Sequence, residues 1–225
     1  MPVGVPKSPF LIPEDEDPTW VDLYNRLHRQ RILFLCQTLT NEIGNNLVGL
    51  LVALSREDKT LNFFLNINCR GGLALMALGV VDMMKFVPPL VITLNMGKAY
   101  SVGSLVLNGG SAGDRIAFPH SRVMIHQPFS SYFDPEQGEF YLEGEEFKHI
   151  HFTIISIYKQ STKKDFWSLY RDMRKDTFMT ADEAKVHGIV DVVGLSTLEL
   201  AESAKSDNEK VIEGFQKIFP KFIHE

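Results

Sequence analysis

An α/β protein with a mostly parallel sheet is predicted by three features of the sequence. Short apolar runs alternate with segments of helical periodicity, which is the pattern of successive βαβ units. Glycine-containing turns follow two of these runs, at the sheet edge where sites form in open α/β folds. The length of 225 residues and the hydrophobic content of 44% favour one domain with a sizeable core.

Six strands are predicted from apolar runs that are bounded by turn residues. The Pro88-Pro89 pair separates the third strand from the helix before it. The predicted strands span residues 32–36, 61–67, 90–94, 114–118, 122–125 and 189–193.

The helices are predicted from apolar residues at helical period and from capping residues. Thr40 suits the N-cap of the second helix. Thr180 and Glu183 have capping-box spacing, and Gly188 closes the helix that follows them. The predicted helices span residues 20–31, 43–54, 75–81, 102–110, 143–160, 166–173 and 181–187.

Three segments differ in composition from the folded domain, which we place at residues 20–194. Residues 1–19 are Pro-rich and acidic, as in a mobile arm or one ordered by a partner. Residues 129–142 are aromatic and acidic, which predicts an extended excursion. Residues 195–225 form a charged extension, either a helix that docks on a partner or a frayed tail.

Composition argues against several classes of function. The formal net charge of -5 and the absence of a Lys/Arg block argue against nucleic-acid binding. Cys36 and Cys69 lack metal-ligand spacing and are predicted to be free thiols, and no metal site is expected. No apolar run has the length of a membrane span. The first residues resemble neither a signal peptide nor a transit peptide, so the protein is expected to work where it is made.

Two turns at the predicted sheet edge carry candidate site residues. Ser101 lies between a strand and a helix, where a nucleophile can be exposed beside the backbone N–H groups of the helix start. The same position suits a simple helix N-cap. Gly71-Gly72 ends a neighbouring strand and either supplies a close backbone N–H group or only forms a turn.

His126 and Asp176 are further candidates, each with a structural alternative. A histidine at a strand end, such as His126, is usually structural. Asp176 follows Arg174-Lys175 and either orients a histidine or is a solvated loop charge. Spacing alone leaves open whether Ser101, His126 and Asp176 meet.

The chain resembles the Clp protease family, the proteolytic subunits of a self-compartmentalised ATP-dependent peptidase, and most of all the chloroplast-encoded form. The likeness extends over about residues 1–194. Its long, ordered motifs are together very specific. The segments that carry it are MPVGVPKSPF, TWVDLYNRLHRQRILFL, FLNINCRGG, MGKAYSVGS, AFPHSRVMIHQP, GEFYLEGEE and KDTFMTADEAKVHGIVD.

The resemblance implies a serine endopeptidase. It places the nucleophile at Ser101, the general base at His126 and the orienting acid at Asp176. It places the oxyanion donors at the backbone N–H groups of Gly72 and Val102. It implies no cofactor in this chain, because ATP is used by a partner chaperone of the AAA+ class.

The resemblance also implies a fold and an assembly. The fold is the ClpP/crotonase-like ββα spiral with a protruding strand–helix handle at about residues 127–160. The handle joins two stacked heptameric rings of Clp proteolytic-core subunits, and the N-terminal arm lines their axial pore. Unfolded proteins are the implied substrates. The implied location is the chloroplast stroma, or otherwise a bacterial-type cytoplasm.

Departures from the family pattern lie beside the site. The family usually has Ser-Pro-Gly-Gly where this chain has Cys69-Arg70-Gly71-Gly72, and Lys98 and Tyr100 intrude into the serine turn. Tyr100 is a large side chain directly beside Ser101, and if it narrows the site, Tyr100→Ala is expected to raise peptide hydrolysis. One alternative is a catalytically weak or structural subunit that scaffolds active siblings. An acyl-CoA hydratase or isomerase, the third candidate, would need carboxylates near the Gly-Gly turn.

Overall fold

A mostly parallel sheet of seven strands organises the described part of the chain, which in this computed structural model is residues 4, 6–10, 19–129 and 137–194. Two further strands form a separate antiparallel pair. The strands are β1 (Lys7–Phe10), β2 (Thr19–Asp22), β3 (Ile32–Leu35), β4 (Phe63–Cys69), β5 (Val91–Tyr100), β6 (Arg115–Ala117), β7 (Arg122–Ile125), β8 (Thr177–Thr180) and β9 (Val192–Val193).

Each of the predicted helices corresponds to a helix of the described residues. They are α1 (Leu23–Arg29), α2 (Asn41–Glu57), α3 (Ala74–Phe86), α4 (Val102–Asn108), α5 (Gln137–Thr162), α6 (Phe166–Met173) and α7 (Ala181–His187). The Thr40 side chain caps α2 by accepting from the Ile43 N–H group. The Thr180–Glu183 capping box of α7 is complete, and Gly188 ends α7 with a left-handed φ of 90°. The predicted α/β fold is confirmed.

The main differences from prediction concern where strands begin and end. Residues 19–22 form β2 rather than the start of α1, because they pair with β1. β5 continues to Tyr100 instead of ending at residue 94, and α5 begins at Gln137 rather than at 143. β8 was not predicted. Most of the predicted arm, residues 130–136 of the excursion and the extension at 195–225 lie outside the described residues.

Most helices pack against one face of the sheet. Alternate residues of β4, Phe63, Leu65 and Ile67, join the large apolar core with α2, α3, α4 and the second half of α5. The opposite face carries a smaller cluster that contains Phe64 and Ile92. This alternation follows from the two-residue repeat of a strand. None of the described helices is long and apolar enough to cross a lipid bilayer.

The length of β5 determines where the later strands lie. Residues 93–95 of β5 pair with β6, whereas residues 98–100 pair with β7 on the same edge. Between these halves β5 bulges. Ile67 and Cys69 lie two residues apart on β4, but their partners Asn95 and Ala99 lie four residues apart on β5. The Asn68 side-chain oxygen accepts from the Lys98 N–H group at 3.3 Å and so satisfies the bulged backbone. The ends of β5 and β7 therefore lie side by side.

A buried ion pair ties the last strand to the sheet. Arg115 on β6 donates to both carboxylate oxygens of Asp191 just before β9, at 2.6 and 2.8 Å. The Asp191 carboxylate also accepts from the Gly113 N–H group, and Arg115 donates to the carbonyl that follows α7, that of Gly188. The Arg115 side chain is only 6% exposed, so the cost of burying its charge is offset by the Asp191 carboxylate.

We expect Asp191→Ala to lower the free energy of unfolding by about 3 kcal/mol, because it leaves the buried Arg115 guanidinium unpaired. Urea denaturation followed by circular dichroism measures this. Asp82→Ala is the matched control, because Asp82 is exposed on α3 and its loss should change the value by no more than about 0.5 kcal/mol. Equal effects of the two substitutions would contradict the prediction.

Candidate active site

Ser101 lies in a sharp turn between β5 and α4. Its φ of 55° and ψ of -122° are unusual for a residue with a side chain. The Ser101 N–H group donates to the Met124 carbonyl of β7 at 2.9 Å, and the Ser101 carbonyl accepts from the Leu105 N–H group in α4. The turn is therefore held from both sides, and its geometry is that of a strand–serine–helix nucleophile turn.

The register of β7 and β8 brings His126 to Asp176. Ile125 of β7 pairs with Thr177 of β8, so the next residues outward in this antiparallel ladder are His126 and Asp176. Their side chains meet at 3.0 Å between His126 Nδ1 and Asp176 Oδ1. This proximity depends on β8, the strand that the sequence analysis missed.

Ser101, His126 and Asp176 form one continuous hydrogen-bonded line. His126 Nε2 is 2.8 Å from Ser101 Oγ, and its Nδ1 atom faces the Asp176 carboxylate. The His126 side chain is 25% exposed and that of Asp176 is 62% exposed. The imidazole therefore lies between a hydroxyl and a carboxylate, in the geometry needed to take a proton from the hydroxyl.

The Gly71-Gly72 turn lies against the serine turn. A Cβ atom on Gly71 would be 3.4 Å from Ser101 Cβ, which shows how closely the two backbones approach. Gly72 has a φ of 151°, and a Cβ atom there would be 2.2 Å from the Leu39 carbonyl oxygen. Only glycine fits this position, because the backbone of Gly71-Gly72 runs beside Leu39.

Two backbone N–H groups beside Ser101 are unused within the described residues. The Leu39 N–H group donates to Gly71, and Leu73 donates to Leu39, which leaves the Gly72 N–H group without an acceptor there. The N–H group of Val102, the first residue of α4, likewise has no acceptor in the described part of the chain. Such groups can stabilise a developing oxyanion.

A cavity of about 400 Å³ opens beside Ser101 and His126. Apolar side chains from α4, α5 and α6 form much of its wall, among them Leu105, Ile154 and Met173. Its described lining contains no Asp or Glu residue, and Arg70 lies at its edge near the Gly-Gly turn. An apolar cavity with a few polar groups is the usual form of a substrate site.

A buried hydroxyl pair supports the serine turn from below. Ser104 Oγ is 2.6 Å from the Ser101 carbonyl oxygen, 2.9 Å from that of Met124 and 2.7 Å from Tyr158 Oη. Burial raises the pKa of Tyr158 above its usual range. Because the two carbonyl oxygens can only accept, the network is satisfied when Tyr158 donates to Ser104. The Ser104 proton is then available for the carbonyl oxygens of Ser101 and Met124.

Cys69 takes part in the Gly-Gly turn where the family usually has serine. Its sulfur accepts from the Gly71 N–H group at 3.4 Å and is 3.3 Å from the Gly71 carbonyl oxygen. Burial raises the pKa of the Cys69 thiol, which keeps it protonated. Cys69 and the exposed Cys36 are both free thiols, as predicted. The turn is thus stabilised without a proline.

The expectation that Tyr100 narrows the site is wrong. Its ring packs edge-on against Phe178 of β8, with ring centroids 5.5 Å apart. Tyr100 does not belong to the described lining of the cavity. Successive side chains of a strand point to opposite faces. The position of Tyr100 next to Ser101 therefore did not indicate that its side chain faces the site.

Motifs in the sequence indicated the residues of the hydrogen-bonded line but not the residues that support them. Ser104 is the last residue of the MGKAYSVGS segment but had no predicted role, and Tyr158 is one aromatic residue on a long helix. The spacing from Ser101 to Ser104, one helical turn, was the available signal for the first. Among the described residues no group of His, Cys and carboxylate side chains is arranged to hold a metal ion.

A serine hydroxyl, an imidazole and a carboxylate in line beside an apolar cavity define a serine hydrolase site. The model of the Clp protease family matches residues 14–197. A relative from Acorus calamus, an ATP-dependent Clp protease proteolytic subunit, is 55% identical over 194 residues, which are 86% of this chain and 96% of the relative. Relatives of the same name from Drimys granadensis and Morus indica are 52% and 51% identical over 195 residues, 87% of this chain and 96% and 100% of theirs.

The chain therefore belongs to the Clp protease family, a family of serine-type endopeptidases. The family resemblance predicted from its motifs is confirmed, and so is the enzyme class. The three relatives named above are plant proteins.

We expect Tyr158→Phe and Ser104→Ala each to lower kcat about tenfold with little change in KM, because a slightly displaced nucleophile loses alignment. Tyr170→Phe is the control, since the Tyr170 hydroxyl makes no hydrogen bond within the described residues. Steady-state peptide hydrolysis measures both constants. A raised KM with unchanged kcat would mean that Tyr158 serves only as a cavity wall.

Proposed function

We propose that the chain is the catalytic subunit of an ATP-dependent Clp protease and cleaves unfolded polypeptides through an acyl-enzyme. The observation that carries this proposal is the continuous line from Ser101 Oγ through His126 to Asp176, with contacts of 2.8 and 3.0 Å. Membership in the Clp protease family supports it.

Ser101 is the proposed nucleophile and His126 the general base. Ser101 Oγ attacks the peptide carbonyl while His126 Nε2 takes the hydroxyl proton, and His126 then gives this proton to the leaving amine. The acylated Ser101 is hydrolysed by water, which passes its proton to His126 in turn. Asp176 accepts from Nδ1–H and so holds the imidazole in the tautomer whose Nε2 atom faces Ser101.

The proposed oxyanion donors are the backbone N–H groups of Gly72 and Val102. Both lie next to Ser101 and lack acceptors in the described residues, so they can donate without breaking an existing bond there. They need no reorganisation during the reaction, because each is fixed by the turn or helix around it. The chain itself supplies every group that the mechanism uses, and ATP is used by the partner chaperone.

The two alternative functions are less well supported. A purely structural subunit has no need of an aligned serine, histidine and carboxylate, yet these side chains are in hydrogen-bond contact. An acyl-CoA hydratase or isomerase would need a carboxylate near the Gly-Gly turn. The described lining of the cavity has none.

The proposed assembly is two stacked heptameric rings of Clp proteolytic-core subunits, fed by a Clp-class AAA+ chaperone. Support comes from α5, whose second half packs in the core while residues 141–149 are mostly exposed. Tyr141 and Leu142 in that stretch are more than half exposed, as expected for a helix that meets another subunit. The proposed location is the chloroplast stroma, in keeping with the plant relatives.

We expect a fluorophosphonate probe to label wild-type protein at Ser101, with loss of labelling and of peptide hydrolysis in Ser101→Ala. The reason is that His126 Nε2, at 2.8 Å, activates this hydroxyl. Ser156→Ala, which removes an exposed hydroxyl on α5, should keep both. Peptide mapping by mass spectrometry locates the label. Equal hydrolysis by wild type and Ser101→Ala would exclude the proposed mechanism.

We expect Asp176→Asn to lower kcat by about 10²–10⁴-fold, because an amide cannot enforce the same His126 tautomer or stabilise the imidazolium. Asp182→Asn removes an exposed carboxylate on α7 and should leave kcat nearly unchanged. Initial rates at saturating peptide measure the effect. If Asp176→Asn kept full kcat, Asp176 would have no orienting role.

A further inference from the structure

Arg70 lies one residue from the closest contact between the Gly-Gly turn and the serine. It follows the end of β4 and precedes Gly71, where a Cβ atom would be 3.4 Å from that of Ser101. Leu39 and the Cys69 sulfur hold the backbone of this turn. The base of the Arg70 side chain is therefore fixed near the reacting atoms.

Arg70 is exposed, and it belongs to the residues that line the cavity beside Ser101 and His126. Four pairs of described residues form ion pairs, and Arg70 belongs to none of them. A guanidinium is always charged in proteins, so Arg70 brings a permanent positive charge to this wall.

The rest of the described cavity lining carries no other permanent charge. The His126 imidazole already contacts Ser101 and Asp176. The other side chains of the lining are apolar, hydroxyl-bearing or absent, from Thr38 at one end to Met173 at the other. A charge against apolar walls is less screened than one in open water, so Arg70 can attract an anion more strongly there.

We propose that Arg70 forms a subsite for an acidic side chain of the substrate, one or two residues from the scissile bond. A carboxylate matches the planar fork of a guanidinium and can accept two parallel hydrogen bonds from it. The inference rests on the proposed function, since it assigns a preference to the same site. It predicts faster cleavage beside Asp or Glu than beside Lys or Arg.

Lys98 provides a matched comparison for Arg70. Its backbone lies beside the end of β4, where its N–H group donates to Asn68, and its side chain is exposed. Lys98 does not belong to the described lining of the cavity. Removing its charge changes the electrostatic field of this region without changing the cavity wall.

The test uses the full-length protein in its native assembly with fluorogenic peptides that share an apolar residue before the scissile bond. In separate peptides, Glu, Gln or Lys is placed at one of four positions. These are the two residues before that apolar residue and the two residues after the scissile bond. The measured quantity is the ratio of kcat/KM for the Glu and Lys peptides. We expect a ratio of about tenfold for wild type at one position, close to one for Arg70→Gln, and reversed for Arg70→Glu.

Two further variants make the result specific. Arg70→Lys keeps the charge without the fork and should retain part of the ratio. Lys98→Gln should leave the ratio nearly as in wild type. Fluorophosphonate labelling of Ser101 in each variant shows that the site is formed.

Two outcomes overturn the inference alone. One is an unchanged ratio in Arg70→Gln while all peptides are still hydrolysed. The other is a Glu/Lys ratio that falls as far in Lys98→Gln as in Arg70→Gln. Such a result would mean that the preference comes from the general electrostatic field of the region rather than from a subsite at Arg70. If wild type hydrolyses none of the peptides, the proposed function and this inference fail together.

Discussion

The pairing of the last residues of β5 with β7 is the constraint on which the site depends. Because β6 occupies the edge of β5 only as far as residue 95, β7 can pair with residues 98–100. The two strands then end together, with Ser101 following one and His126 following the other. The hydrogen bond from the Ser101 N–H group to Met124 closes this junction. A shorter β5 would leave the serine and the histidine on separate strand ends.

The two ends of the hydrogen-bonded line are supported by different physical means. Behind Ser101, the hydroxyl pair of Ser104 and Tyr158 is fully buried, where hydrogen bonds are strong and unpaired groups costly. Asp176 is largely in contact with solvent, and its position comes from the backbone ladder of β7 and β8. Solvent screens its charge, so in the proposed mechanism Asp176 acts more through geometry than through its field.

Much of the fold could be predicted from the sequence because its signals are local. Thr40 and the Thr180–Glu183 box cap helices through contacts within three residues, and the structure confirms both. The end of β5 was missed because a glycine such as Gly97 usually ends a strand. The strand continues because the side chain of Asn68, which is distant in sequence, accepts from the Lys98 N–H group at the bulge. β8 was missed because four residues next to a helix cap give no usable periodicity.

The site itself was only partly predictable. Motifs identified Ser101, His126 and Asp176, yet their meeting depends on a strand register that no local pattern encodes. Tyr100 shows the opposite failure, since its adjacency to Ser101 suggested a narrower site and the ring instead packs on Phe178. The direction of a side chain at a strand end is decided by tertiary neighbours, which one sequence does not reveal.

The contacts that build the site also influence when it forms during synthesis. The hydrogen-bonded pairs are far apart in sequence. The separation is 25 residues for Ser101 and His126, 50 for His126 and Asp176, and 54 for Ser104 and Tyr158. Long-range contacts of this kind form late, because loop closure precedes any gain from them. A nascent chain that has not reached Asp176 lacks the carboxylate and β8, so the hydrogen-bonded line from Ser101 to Asp176 is still incomplete. In the proposed mechanism, the order of residues along the chain thus delays peptide hydrolysis until nearly all of the domain has been made.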